Sequence, residues 1–469
     1  GLSNCHWNID HNNRKCDVCR SRFQNGWEYV NPGRNSVLKN FPARTWLDNS
    51  SMPEFKSVDD INQFNYDGLK IGYGVTASLV SILRDHRFDT RIHRDLVLRT
   101  LNSAIQVYES LKSEFEDFKP DRVYFFNGRV ATHLPAKLLC KKLGIEFYSY
   151  ELSQQENCYR LFKNKTIHDV VSVLDVKELS QAWNEEKEAK GSAYLRLMRM
   201  GKDLGKLPVY TTEQRQGVLP DGFNSSLRNI AIFNGTIDEY AGIENAKNRL
   251  YQPDETSGIA RILESFENDE KFFFYLRVHP HMKGLQDTTS QLADIRQIQT
   301  RFTNIKIIWP DDVVDSYALM DACEKVVTFG STTGIEATFW GKPSILADQA
   351  RFENFNYAYM PKTHEDMIEL IRDNLNPLPA IAAIKIIYSV AYDGIQFKYF
   401  EEVFVNNESS LVTLQGNSIK GAVMPRLLLW MESLPLRLKL LVMQPEHIFS
   451  KVKYRLRKVF LFGVRAMGK

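Results

Sequence analysis

Residues 325–346 read KVVTFGSTTGIEATFWGKPSIL, and the order of residue types within them sets the fold. Lys325 to Phe329 is an apolar run of strand length, and Gly330-Ser331-Thr332-Thr333-Gly334 is a small-residue turn. Ile335 and Glu336 open a helix, Gly341-Lys342-Pro343 ends it, and Ser344 to Leu346 is a second short strand. Strand, tight turn, helix and strand make the repeating unit of a parallel sheet. A turn of this composition also suits an anion: its hydroxyls donate, its glycines admit a close backbone approach, and the helix start adds about half a positive charge. A capped connection without any ligand has the same residues. Arg277-Val278-His279-Pro280, at the end of another apolar strand, tips the reading toward a ligand site.

The same alternation extends in both directions. Toward the N-terminus of this half, strands are expected at 229–233, 272–278 and 305–308, with helices at 258–268 and 316–322 and a turn at Asn234-Gly235-Thr236. An earlier series has helical patterns at 76–85 and 96–118, a strand at 122–126, the turn Asn127-Gly128-Arg129, a helix to about 143 and a strand at 146–150. Residues 176–204, rich in Glu, Lys, Ala and Leu with the charges mostly on one side, are expected to form a surface helix. Two such series predict an α/β fold with two Rossmann-like domains facing each other across a cleft, at 56–215 and 216–395. Residues 1–55, rich in Cys and Asn, form an irregular N-terminal segment, and 396–469 supply crossover helices and a basic tail. Ligands of open parallel sheets sit beyond the carboxyl ends of the strands, where Asn127, Asn234, His279 and Ser331 all fall.

The 469 residues are too many for one ordinary core, and 43% hydrophobic with 25% charged residues is a globular composition. The net charge of +3 is uneven: residues 421–469 carry +8, leaving −5 for the rest. No apolar run reaches the roughly 18–20 residues that span a bilayer. The first twenty residues lack the apolar core of a secretory signal, and six cysteines do not make a disulfide scaffold, so a cytoplasmic location is expected. In the tail, prolines 425, 435 and 445 cut bulky apolar and basic stretches into short helices, which suits attachment to an anionic membrane surface from the cytoplasmic side. Packing of the tail on the first domain is the alternative. Cys5, His11, Cys16 and Cys19 offer enough ligands for a structural zinc, with free thiols in a packed appendage as the alternative.

Asn234, Gly235 and Thr236 supply amides and a hydroxyl, and Asp238 and Glu239 follow at once. His279, fixed by Pro280 and preceded by Arg277, suits a phosphate oxygen, and Glu336 suits a ribose or base hydroxyl. No lysine-bearing P-loop occurs, and Gly72-Tyr73-Gly74 lacks the third glycine of a dinucleotide fingerprint.

Arg277-Val278-His279-Pro280, Trp309-Pro310 with Asp315-Ser316-Tyr317, Gly330 through Ala337 and Gly341-Lys342-Pro343 together resemble the bacterial capsule polysaccharide biosynthesis family, which includes transferases of Kdo and related acidic sugars. The resemblance covers about 230–346 well and the first domain loosely, through Phe126-Asn127-Gly128-Arg129 and Glu151. It implies a GT-B glycosyltransferase of capsule or lipopolysaccharide synthesis whose second domain binds a nucleotide-sugar donor, without a catalytic metal or other cofactor. The His-Pro and Ser-Thr motifs are also similar to those of bacterial GT-B sialyltransferases, whose donors are CMP-linked. There the acidic motif runs directly into Gly, whereas here Tyr240 and Ala241 precede Gly242. On this reading the donor nucleotide meets Asn234, Gly235, Thr236, Arg277, His279, Pro280, Gly330, Ser331, Thr332, Thr333 and Glu336. Asp238, Glu151 and His279 are the catalytic candidates, and Asn127 and Arg129 bind the sugar or the acceptor. The acceptor is a glycan or glycolipid, and no nucleic-acid partner is expected. The alternatives are a UDP- or GDP-sugar transferase, a glycerophosphotransferase, and a non-catalytic assembly protein on the same fold.

Overall fold

The computed structural model describes residues 8, 16–17, 19, 46–48, 50–169, 182–202, 211, 213–237, 241–244, 250–285, 289–348, 352–398, 400–406, 409–414 and 417–418. The chain divides into two compact units, one of Gly1–Ile9 with Asn40–Phe397 and one of Asp10–Lys39 with Lys398–Lys469. In the second unit the described residues include a three-stranded antiparallel meander, Phe400–Asn406, Ser409–Leu414 and Asn417–Ser418. The proposed membrane-associating stretch at 421–469 lies outside the described residues, as do Cys5 and His11. Cys16 is half-buried and Cys19 exposed.

The first half of the larger unit opens with helices α1 (Val58–Asn62), α2 (Gly72–Leu83) and α3 (Arg94–Phe118), followed by strand β1 (Arg122–Phe126), helix α4 (Leu134–Leu143) and strands β2 (Glu146–Leu152) and β3 (Cys158–Lys163). Ser57 and Asp60 form a reciprocal capping box that starts α1. Gly72 lets α2 begin against α1, because a Cβ there would stand 1.8 Å from the Ile61 carbonyl oxygen. β1 and β2 are parallel, with Arg122 opposite Glu146, as the strand-helix-strand pattern predicts. β3 is antiparallel to β2, and β9 (Ile395–Gln396) is antiparallel to β3. The reason is loop length: a parallel return needs a crossover of a dozen or more residues, and only 153–157 separate β2 from β3.

The second half contains β4 (Arg228–Phe233), β5 (Phe272–Arg277), β6 (Ile305–Ile308), β7 (Lys325–Thr328) and β8 (Ser344–Leu346) in one all-parallel sheet of order β6-β5-β4-β7-β8. Its helices are α6 (Glu255–Glu264), α7 (Ser290–Arg301), α8 (Ser316–Ala322), α9 (Thr333–Phe339) and α10 (His364–Arg372). Both faces are covered. Ile230, Ile232, Phe274, Leu276 and Val327 pack toward α6, α7 and α10, while Ala231, Phe233, Tyr275 and Val326 pack toward α8 and α9. That explains the nearly continuous apolar strands such as FFFYLR, which show no alternation. Helix α6 begins three residues earlier than the sequence pattern suggests, because Asp254 and Ser257 form a capping box.

The expected surface helix is docked along one side and exposed along the other. Its described part, α5 (Glu185–Arg199), buries Gly191, Tyr194 and Leu195 against α11 (Ile381–Tyr392). A Cβ on Gly191 would meet Ile384 at 2.8 Å, so the glycine sets the approach of the two helices. The charged side faces out, and the sparse apolar stripe is enough to dock the helix.

Candidate active site

The second sheet reverses its strand order between β4 and β7: from β4 the chain steps outward to β5 and β6, then returns to β7 and β8 on the other side. This is a topological switch point, where the loops leaving two neighbouring strands part and leave a crevice. The 234–236 and 330–334 turns are the two loops that leave it. They are in contact, since a Cβ on Gly235 would stand 2.8 Å from the Phe329 carbonyl oxygen. Gly235 is required by that closeness rather than by an unusual φ.

The third loop, after β5, is tied to the first. Asn234, 1% exposed, accepts from the His279 backbone N–H at 2.9 Å and donates to the Gly235 carbonyl at 2.8 Å and to Glu255 Oε1 at 3.2 Å. Glu255, in the first turn of α6, also accepts from the Gly235 N–H at 3.1 Å and from Gln291. His279 Nδ1 accepts from the His281 N–H at 3.2 Å, which orients the ring, and Pro280 begins a short 3-10 turn. Thr236 is 3% exposed, and its hydroxyl has no partner among the described residues. In the 330–334 turn Gly330 takes φ +77°, Ser331 Oγ donates to Thr333 Oγ1 at 3.1 Å, and the Thr333 N–H donates to Ser331 Oγ at 3.3 Å. Gly334 packs against Thr328 and Ser344, where a Cβ would meet Thr328 Oγ1 at 2.8 Å.

Two of the expected donor contacts are directed into the protein. Arg277 is 3% exposed and donates through Nη1 to the carbonyls of Trp309 and Asp312 at 2.9 and 3.3 Å. Burial lowers its pKa, with the Asp312 carboxylate opposing. It therefore fixes the loop after β6. Glu336 is buried and accepts from the Tyr317 hydroxyl; burial pushes its carboxyl up to about 7, against the lowering effect of that hydrogen bond. Burial first, and then the Glu336 charge, push the Tyr317 hydroxyl well above its usual range. Asp238 and Glu239 lie outside the described residues.

At the end of β1, Asn127 (φ +61°) donates to Glu151 Oε1 at 2.5 Å and to His168 Nε2 at 3.0 Å, and accepts from the Arg129 N–H at 3.0 Å. Arg129 Nη2 donates to Ser81 Oγ at 3.0 Å. Asn127, expected at the sugar or acceptor, and Glu151, a catalytic candidate, are in direct contact. His168, Glu255 and Gln291 were not foreseen from the sequence. Glu255 alone had a signal, its place next to the Asp254-x-x-Ser257 cap.

Two α/β halves within one unit, the second built on an all-parallel sheet with its crevice at the switch point, make this an α/β chain. Residues 249–355 match the family described as Capsule polysaccharide biosynthesis protein. That segment carries the 277–280 motif and the 330–334 turn, so the resemblance drawn from those motifs is matched over them. Among solved structures the chain is similar to the Thermosulfurimonas dismutans KpsC β-Kdo 2,4 transferase, at 12% identity over 56% of this chain and 77% of that one, with a TM-score of 0.36. The KpsC β-Kdo 2,7 transferase of the same organism is 10% identical over 69% and 90%, with a TM-score of 0.35. A UDP-GlcNAc 2-epimerase from Neisseria meningitidis is 16% identical over 61% and 80%, with a TM-score of 0.28. No curated protein sequence matches the chain.

Proposed function

We propose that this chain is a glycosyltransferase of bacterial surface-polysaccharide assembly, transferring an acidic sugar of Kdo or nonulosonate type from a CMP-linked donor to a glycan or glycolipid. The observation that carries the reading is the junction of three strand-end loops at one switch point, where Asn234 and Glu255 tie the first to the third and the Thr236 hydroxyl has no protein partner among the described residues. The matched family segment supports the polymer class. Phosphate is already a good leaving group, so such an enzyme needs preorganised donors around the departing CMP more than an acid or a metal. The backbone and hydroxyls of the 330–334 turn, Thr236 and His279 supply them. Arg277 contributes by holding the β6 loop.

A carboxylate must either take the proton of the acceptor hydroxyl or form a glycosyl intermediate. Asp238 and Glu151 are the two candidates, and Asn127 keeps Glu151 oriented. Arg129 would meet the acid group of the donor sugar. A structural zinc on Cys5, His11, Cys16 and Cys19 is part of the proposal, and metal analysis that finds none contradicts it. The basic tail would bring the enzyme to the inner membrane, where lipid-borne acceptors lie. Among the described residues no helix is long and apolar enough to cross a membrane.

The test is transfer from CMP-sugars to acceptors carried on anionic vesicles. Asp238→Asn or Glu151→Gln is expected to lower kcat by about a hundredfold or more, and removal of residues 421–469 to raise the apparent KM for the vesicle acceptor alone. Near-normal kcat in both carboxylate variants contradicts the mechanism.

A further inference from the structure

The loop that leaves α2 is Arg84-Asp85-His86-Arg87, four titratable residues in a row, and the buried Phe88 anchors it in the core of the first half. Arg84, at φ +57°, ends the helix and turns the chain, and Asp85 Oδ1 accepts from the Arg87 N–H at 3.0 Å. All four side chains reach the second half of the same unit. Arg84 Nη2 donates to the His281 carbonyl at 3.4 Å, and Asp85 Oδ1 accepts from the Ser290 N–H at 3.3 Å. His86 Nε2 lies 3.4 Å from Asp254 Oδ2. Arg87 Nη2 donates to the Ser290 carbonyl at 3.4 Å and to Asp294 Oδ2 at 2.5 Å, and its Nη1 lies 3.6 Å from Asp254 Oδ2.

The residues met in this way are neighbours of those that hold the crevice. Asp254 precedes Glu255, which accepts from the Gly235 N–H. Ser290 precedes Gln291, whose Nε2 donates to the Gly235 carbonyl at 3.2 Å and to Glu255. The His281 N–H donates to His279 Nδ1. Charge explains why the loop is needed there. The Thr256 hydroxyl oxygen lies 2.7 Å from Asp254 Oδ1 and 3.1 Å from Asp294 Oδ2, so α6 and α7 bring two carboxylates to one hydroxyl. Like charges at such range repel, and Asp254 is only 3% exposed, so water screens it little. Arg87 is set against both carboxylates and offsets that repulsion, which keeps the starts of α6 and α7, with Glu255 and Gln291, around the 234–235 turn.

We propose that the 84–87 loop, with Arg87 at its centre, is a positioning element of the nucleotide crevice: the first half fixes the 234–236 and 279–281 loops of the second by holding the starts of α6 and α7 and the His281 carbonyl. The word nucleotide rests on the transferase reading; the positioning of the two loops does not.

The test uses the full chain, Arg87→Met and, as a control, Arg91→Met, whose guanidinium pairs with Asp89 of its own half. Hydrogen exchange is followed on peptides covering 234–236 and 279–281, with 272–276 of β5 as the reference, and CMP affinity is measured by calorimetry. In Arg87→Met, exchange is expected to be about tenfold faster in both loops with the reference unchanged, and CMP to bind about three- to tenfold more weakly. Arg91→Met should alter neither. Unchanged exchange in the two loops overturns the proposal, and so does an equal rise in the reference, which would mean general destabilisation. CMP affinity that stays level while the loops loosen also overturns it, because the loops would then be held to no effect on binding. Faster loop exchange in a protein that binds no CMP even as wild type upholds the positioning and overturns the donor reading instead.

Discussion

Glu336 is a buried carboxylate in the helix that follows the Gly-Ser-Thr-Thr-Gly turn. Its carboxyl is buried against the Tyr317 hydroxyl and pushed up to about 7, so the folded protein holds a proton there that the unfolded chain releases near the ordinary value of 4.5. The sign follows from linkage: the folded state binds more protons between about pH 4.5 and 7, so this group's contribution to stability is complete below 4.5 and is lost as pH rises through 7. Glu336→Gln keeps an acceptor for Tyr317 and removes the proton. In thermal unfolding, wild type is expected to lose more Tm between pH 5 and pH 8 than the variant does; equal losses contradict the assignment. This residue also marks the limit of what the sequence discloses. Its position in the first turn of the helix after the Gly-Ser-Thr-Thr-Gly turn is readable, but whether its side chain points to the crevice or to Tyr317 depends on how that helix is rotated against α8. Arg277 is the same case, since alternation along β5 puts it on the α8 side of the sheet only once the strand's register is known.

At the scale of elements, strands and turns were legible because their signals are local. The β1 strand, the end of α4 and the Ser344–Leu346 strand fall where the apolar runs and glycines put them. Gly144, at φ +67°, closes α4 as a left-handed cap. The antiparallel addition of β3 and β9 was not legible, because it depends on which distant segment meets a strand edge. Helix α6 is the element on which the site leans: it presents Glu255 to the 234–235 turn, and its start is fixed by Asp254. Burial alone would raise the Asp254 carboxyl, but hydrogen bonds from His86, Thr256 and the Ser257 N–H hold it well below the usual range. Asp254→Ala removes the cap and leaves His86 without its partner, so a loss of about 1–2 kcal/mol in denaturant unfolding is expected. A change below a few tenths would mean that α6 does not depend on this cap.

For the whole molecule, we propose that a nucleotide-activated sugar binds where the second sheet reverses its order. The sheet's parallel order explains why Asn234, His279 and the 330–334 turn, separated by up to a hundred residues, share one edge. That convergence was readable from strand-helix alternation alone, whereas the contacts of the 84–87 loop behind it were not, because they form only where two distant segments meet. The most direct measurement is calorimetric titration of CMP, UMP, UDP and GDP into the full chain and into His279→Ala. CMP is expected to bind most tightly, and the variant to weaken it about tenfold or more. Tighter binding of UDP or GDP would contradict the CMP donor while keeping the crevice, and binding of no nucleotide at all would contradict a nucleotide-sugar site at the switch point.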